Sequence, residues 1–395
     1  MYVTRRLSSL RRHPELLSLT PKEGPNSGYL VLFDEECETT TCFGLCKDRS
    51  IRSLPFPQNK NLTISYSTGA GESSTTYCDD VFFIPVLDQP LCSGRYYVIR
   101  RQGKHKGQAS ASSTEDDMGT CFCCTFIRDV KPRPLDPSDI YQQVEIIQKK
   151  HRGFTAASMA PDGFPPEFLR RKYWQLDMRT PRSYQLDEAP GLNSSLRARL
   201  PGLDFSPTNP SSESVVVGKW YSPFVFVKEL GGKLSEQMKK SAFYEVTLEQ
   251  RWDRIFECDN VGNGMRVVSV DEFVNREEAF VEEKEAICGW GHIDDGVTWY
   301  KTSLYGDQPE RLLGLSVLLT ERMRWEQERV GCLVDESERR VNVKRTEEFD
   351  GKGTNKWSKF GCYVLVESFV LRRVDGTVLL THDFKHTSQI RSKWE

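Results

Sequence analysis

Two long runs of strand-forming residues near the C-terminus, Tyr363 to Leu371 and Val378 to Phe384, flank Val374-Asp375-Gly376-Thr377. Asp-Gly is favoured in two-residue hairpin turns because both central residues then take positive φ. Apolar side chains occupy both parities of the first run: Tyr363, Leu365 and Phe369 on one, Val364, Val366 and Val370 on the other. A strand of that kind is covered on both faces. The hairpin therefore belongs in a core, and the rest of the chain must supply the cover.

Earlier segments repeat the strand signature. A Gly/Pro/Asn/Ser turn opens the apolar run within residues 24–34, and Leu62 to Ser67, Val81 to Leu87 and Tyr96 to Arg100 follow. All are short, rich in β-branched or aromatic residues, and bounded by Gly, Pro, Ser or Asp. A length of 395 residues suggests two domains at about 100 to 200 residues each. The expected fold is mainly β (α+β), with two β-rich domains and a few short helices. Residues 181–214 are rich in Pro, Gly, Ser and Asn and read as a linker. They would join an N-terminal domain, 1–180, to a C-terminal domain, 215–395.

Local readings fill in this frame. Asp139 precedes a run that suits a short helix or a strand, and Pro165-Pro166 can open a helix through Trp174. Val215 to Val227 resumes strand character, and residues 242–256 suit a strand passing into a helix. From Leu315 to Trp325 the apolar residues fall on odd positions, which predicts a half-buried strand, with a helix as second choice. Glu277 to Glu285 reads as a solvated acidic edge.

Composition narrows the class of function. Lys plus Arg number 54 and Asp plus Glu 56, a formal charge of −2, so no dominating positive field marks a dedicated nucleic-acid binder. No stretch approaches the roughly 18 consecutive apolar residues of a spanning helix, and no secretory signal opens the chain. The twelve cysteines are then expected as reduced thiols in the cytoplasm. Arg5, Arg6, Arg11 and Arg12 leave an organelle transit segment as the alternative.

Motifs for chemistry are sparse. Cys42 and Cys46 have zinc-like spacing, but Cys121, Cys123 and Cys124 do not form the usual second pair, so buried thiols and no metal site are expected. His382 and His386 would share a strand face and read as structural histidines. His292, Asp294 and Asp295 lie in a glycine-flanked loop and are the catalytic candidates; Asp295-Gly296 is equally a turn. Lys104-His105-Lys106 between two glycines is a cationic turn suited to phosphate. Arg170-Arg171-Lys172-Tyr173-Trp174 reads as a solvated helix face with a buried aromatic edge. Phosphate-binding glycine loops and the nucleophile elbow are absent from the sequence, and no cofactor is expected.

Several long motifs together resemble a known family. They include GPNSGYLVLFDEE, TTCFGLCKD, LPFPQNKNL, FFIPVLDQPL, GKHKGQA, GKWYSPFVFVKE, ERMRWEQERVG and KFGCYVLVESFVL. The chain resembles, from Met1 to Glu395, the plant domain-of-unknown-function 1262 family, some members of which carry an insecticidal crystal toxin label. The resemblance implies a plant origin and an intact N-terminus, and brings no catalytic residue. The toxin label would imply membrane insertion, for which the sequence offers no long amphipathic or apolar segment.

The expected function is that of a non-enzymatic intracellular protein that binds a protein or small-molecule partner, in stress or defence. The alternative is an enzyme or small-molecule carrier with a pocket near the domain junction.

Overall fold

The computed structural model describes residues 1–41, 46–68, 75–121, 124–150, 153–229, 231–261, 265–294, 296–302, 311–332, 339–350 and 356–395; side chains of 41, 121, 124 and 290–294 are outside the description. The protein is mainly β, with few and short helices. It divides into two units. Unit 1 holds Met1–Ala189 and Tyr221–Tyr244, and unit 2 holds Pro190–Trp220 and Glu245–Glu395.

In unit 1, β1 (Tyr2–Arg6) and β2 (Gly28–Leu32) pair in parallel, with α1 (Leu7–Arg12) between them. The small hairpin β3 (Thr40–Thr41) and β4 (Cys46–Lys47) follows, then β5 (Ser50–Ile51), β6 (Asn61–Thr68), β7 (Thr75–Pro85) and β8 (Arg95–Arg100). Next come the pair β9 (Met118–Cys121) and β10 (Cys124–Ile127), then β11 (Gln143–Gln148), β12 (Phe154–Ser158), α2 (Glu167–Arg170) and β13 (Gln175–Arg179). Seven of these strands form an antiparallel sheet in the order β12-β11-β8-β7-β6-β13-β5.

One face of that sheet buries an aromatic cluster. Phe56 lies 4.8 Å from Phe83 and 5.0 Å from Phe154, and Phe154 lies 5.1 Å from Trp174 between ring centroids. Trp174 is fully buried and donates its indole N–H to Leu169 O at 2.9 Å, which satisfies its polar atom. The helix expected from Pro165 through Trp174 is only α2. Arg171 leaves helical geometry at ψ 141°, and Tyr173 at φ +65° turns the chain before Trp174, which lies in the core.

The remaining strands are β14 (Gly191–Leu192), β15 (Val215–Pro223), β16 (Val227–Glu229), β17 (Phe243–Asp259), β18 (Val267–Asn275), β19 (Glu277–Val281), β20 (Lys284–Asp294), β21 (Val297–Thr302), β22 (Leu312–Ser316), β23 (Arg340–Glu348), β24 (Lys359–Arg373) and β25 (Val378–Trp394). Helices α3 (Ser194–Arg199), α4 (Leu234–Lys240) and α5 (Val317–Glu328) complete the set. In unit 2 the strands run in the order β22-β21-β20-β19-β25-β24-β17-β15. The pair β18 and β23 packs Val268 and Val270 with Trp357, Phe360 and Cys362.

Strand β24 is buried on both faces from Phe360 through Leu371, as its double apolar parity requires. Its turn differs from the two-residue form. Arg373 N donates to Thr377 O at 2.9 Å, leaving three residues in the loop, and only Gly376 takes positive φ, +87°. Three-residue hairpin loops place one left-handed residue at that point, and glycine supplies it without steric cost. Asp375 instead accepts from Thr377 N at 2.9 Å.

Three local expectations are corrected. Leu315 to Trp325 is the end of β22 followed by α5, not one strand. The face of α5 turned inward includes Leu319, Arg322, Met323, Glu326 and Gln327, a helical spacing. Its polar members were invisible to an apolar-only pattern. Residues 242–256 do not pass into a helix, because β17 continues through Asp259. The acidic stretch is no edge: β19 lies between β20 and β25, and Glu282 and Glu283 form its turn at φ +47° and +66°. Two consecutive positive-φ residues are the requirement of a tight hairpin, met here without Asn or Gly.

Helix α3 begins at Asn193, whose Oδ1 accepts from Leu196 N at 3.0 Å. Asn193→Ala is expected to cost about 1 kcal/mol through the lost cap. Urea unfolding of the full chain checks it, and an unchanged midpoint would remove the cap's role.

Candidate functional site

A cleft of about 1050 Å³ opens in unit 1, built from five chain segments. Phe33 follows β2, Glu38 and Thr39 precede β3, Cys46 to Arg49 run from β4 towards β5, and Lys60 and Asn61 open β6. Met178 and Arg179 end β13, and Thr180, Arg182 and Ser183 follow it.

Sheet register brings these segments together. Antiparallel pairing sets Arg179 opposite Asn61, and Met178 N donates to Arg49 O at 2.8 Å. Asn59 fixes Phe33 by accepting from its N–H at 2.8 Å and donating to its carbonyl at 3.0 Å. Lys60 Nζ stands 5.3 Å from the Phe33 ring centroid and 3.5 Å from Thr180 Oγ1. Met178 is buried and gives the cleft an apolar floor.

The charges do not cancel. Lys47 donates to Glu38 at 2.7 Å and holds that carboxyl below its ordinary value. Arg52 donates to Asp48 at 2.8 Å. With both acids so paired, Arg49, Arg179 and Arg182 form no ion pair among the described residues, and Lys60 acts on the Glu38 carboxyl only from beyond ion-pair distance. Arg49, Arg179 and Arg182 are exposed, so their guanidiniums keep their donors available. Hydroxyls of Thr39, Thr180 and Ser183 and the amide of Asn61 add neutral hydrogen-bonding groups.

Residues 23–125 match the family described as Protein of unknown function (DUF1262). Over that segment the family is the one the sequence motifs resemble. The DUF1262 match spans the cleft residues from Phe33 through Asn61, whereas Met178 to Ser183 lie outside it. None of the curated proteins matches the chain. Among solved structures, "Crystal structure of Cry35Ab1" is similar at 11% identity with a TM-score of 0.45, over 86% of this chain and 90% of that one.

Of the residues singled out from sequence, Cys46 lies in the cleft lining. The backbones of His292 and Asp294 belong to β20; their side chains, and all of Asp295, are outside the described residues. Asp294 pairs with Val297 across the β20–β21 hairpin, and Gly296 takes φ +71°. Cys42 and Cys123 are likewise outside the description, as are the side chains of Cys121 and Cys124. Cys46 is an exposed thiol in the cleft lining, while burial pushes Cys332 up to about 12. Among the described residues no three His, Cys, Asp or Glu side chains are grouped to hold a metal ion, and no helix is long and apolar enough to cross a membrane.

Lys104 and His105 line a smaller cavity of about 320 Å³, also in unit 1. His105 Nδ1 is 2.7 Å from Gln108 Oε1, and the cavity's Arg100 is paired with Asp79. Arg170 and Arg171 are paired with Asp129 and Glu167. These arginines are engaged locally, unlike the guanidiniums of the larger cleft.

Unit 2 contains a second polar cluster of a different character. Arg197 donates through Nε to Glu367 Oε1 at 2.8 Å and through Nη1 to Glu326 Oε2 at 2.9 Å. Glu367 Oε1 and Oε2 also accept from Gln250 and Gln327, at 2.8 and 2.9 Å. Arg322 Nη1 lies 2.7 Å from Glu326 Oε1, and His386 Nε2 lies 3.5 Å from Glu367 Oε2. All these side chains are buried. Burial alone would raise the Glu367 pKa, but His386 and Arg197 hold it far below the usual carboxylate range. The two arginines and two glutamates balance in charge and tie α3, α5, β17, β24 and β25 together.

His382 and His386 separate in role although both lie on β25. His382 is fully buried, 3.2 Å through Nδ1 from the Tyr300 hydroxyl, and burial lowers its pKa to about 4.

The cleft residues gave little warning in the sequence. Arg49, Lys60, Arg179 and Arg182 are far apart in the chain, and antiparallel pairing of β13 with both β5 and β6 collects them. Two family motifs, TTCFGLCKD and LPFPQNKNL, contain Cys46, Lys47, Asp48, Lys60 and Asn61, which was the available signal.

Proposed function

We propose that this chain is a non-enzymatic binding protein whose unit 1 cleft captures a small anionic ligand. The observation that carries the reading is the cleft's charge asymmetry: four cations face a concave surface whose two acids are already neutralised by lysine and arginine. Positive charge in a concave site raises the local concentration of anions and strengthens their hydrogen bonds. Phe33 and Met178 supply apolar contact for an organic scaffold, and the hydroxyl and amide groups can orient it. Stress or defence is the setting we propose for this binding, in the plant origin that the family resemblance implies.

Cys46 provides a reporter within the lining. Citrate and inositol trisphosphate, as small anions, are compared with uncharged inositol for protection of Cys46 from alkylation in the full-length chain, with labelling resolved by peptide mass spectrometry. At least one anion is expected to slow labelling of Cys46 in a saturable manner, with inositol inert. No protection by either anion, or equal protection by inositol, would overturn the reading.

A further inference from the structure

We infer that the ligand of the unit 1 cleft carries at least two phosphate groups on a small organic scaffold. This deepens the binding proposal and rests on it. Arg49, Arg179, Arg182 and Lys60 place four cations around one cavity; the three arginines form no ion pair among the described residues, and Lys60 acts on Glu38, already held by Lys47, only from beyond ion-pair distance. A phosphate monoester carries about 1.5 to 2 negative charges at neutral pH and three acceptor oxygens. Two such groups match the four cations, whereas carboxylates would need four groups on the same scaffold.

Donor geometry points the same way. A guanidinium presents five N–H groups in a planar fork, and three guanidiniums line this cavity. Thr39, Thr180 and Ser183 add hydroxyl donors, and Asn61 adds an amide. Such a surplus of donors suits an acceptor-rich ligand. The cavity of about 1050 Å³ accommodates a ring bearing several phosphates, with Phe33 and Met178 against its carbon frame. The same chemistry is found in a soluble sugar or inositol polyphosphate and in the headgroup of a phosphorylated inositol lipid.

Isothermal titration calorimetry of the full-length chain with inositol trisphosphate, pyrophosphate and citrate tests the assignment. Saturable trisphosphate binding is expected, at least about tenfold tighter than citrate, and weakening as salt screens the charges. Arg179→Gln and Arg182→Gln remove exposed side chains and should each weaken trisphosphate binding by about tenfold or more, the loss of a charge-assisted contact. Lys104→Gln, outside the cleft lining, should bind as the parent does, and circular dichroism confirms that each variant is folded.

Unchanged affinity in both arginine variants would overturn the site. Citrate binding as tightly as trisphosphate, with the same dependence on Arg179 and Arg182, would overturn the phosphate assignment and leave the anion-binding cleft standing. Absence of binding by every anion would overturn both. Sedimentation with phosphatidylcholine vesicles containing phosphatidylinositol bisphosphate separates the two sources. Greater retention on these vesicles than on plain ones, lost in Arg182→Gln, assigns the lipid headgroup; equal retention assigns the soluble ligand.

Discussion

Arg197→Ala is expected to remove about 3 to 5 kcal/mol from the stability of unit 2, the scale found when one partner is taken from a buried ion pair. Arg197 contacts both Glu367 and Glu326, and both carboxylates are almost wholly excluded from solvent. Without the guanidinium, Glu367 keeps Gln250 and Gln327 as donors and His386 at 3.5 Å but loses the bidentate arginine that balances its charge. An uncompensated buried charge is more costly than a missing neutral hydrogen bond. Adding Glu367→Gln to Arg197→Ala should restore part of the loss by removing that charge. Urea unfolding of the single and double variants measures both effects. A single-variant loss below about 1 kcal/mol, as for an exposed pair, would contradict the account.

The second large effect is one of pH. His382 is buried against Tyr300 and Phe384, and its folded pKa of about 4 lies below the unfolded value near 6.5. Asp383 favours the protonated ring, but burial outweighs it. Between about pH 4 and about pH 6.5 the unfolded chain therefore binds more protons at this position than the folded one, and stability rises with pH. The contribution is fully present above about pH 6.5 and is lost as pH falls towards 4, a change of about 3 kcal/mol. His382→Gln cannot titrate and should flatten that part of the stability profile, even if it lowers stability at every pH. An unaltered slope in urea unfolding across the same window would assign the pH dependence to other groups.

The fold was legible where local chemistry and tertiary context agreed. The strands around Leu62, Val81 and Tyr96 carry period-two or fully apolar patterns between turn residues, and β6, β7 and β8 lie there. The double-sided burial of β24 followed from its two apolar parities. The failures also have physical causes. In α5 the buried face includes Arg322, Glu326 and Gln327, so hydrophobicity alone showed the wrong period. The β19–β20 turn uses Glu282-Glu283, which lacks the usual glycine signal. An acidic stretch was therefore read as solvent-facing edge although its strand is central.

The candidate site was less legible than the fold. Sequence reasoning favours residues adjacent in the chain, such as His292 with Asp294 and Asp295, or Lys104 with His105. Cleft residues come from segments around 33–61 and 178–183 and share no periodicity. Their meeting depends on the register Arg179 opposite Asn61, a long-range property that propensity does not encode. The unpaired state of the cations is a further tertiary property, because it depends on Glu38 and Asp48 being taken by Lys47 and Arg52.

The most direct test of the central claim is a hydrogen–deuterium exchange footprint of the full-length chain with and without saturating inositol trisphosphate. Slowed exchange is expected in 46–49, 60–61 and 178–183, segments that meet at the cleft, with no such protection in Arg182→Gln at the same concentration. Protection confined to other segments, or no protection at all, would contradict that claim.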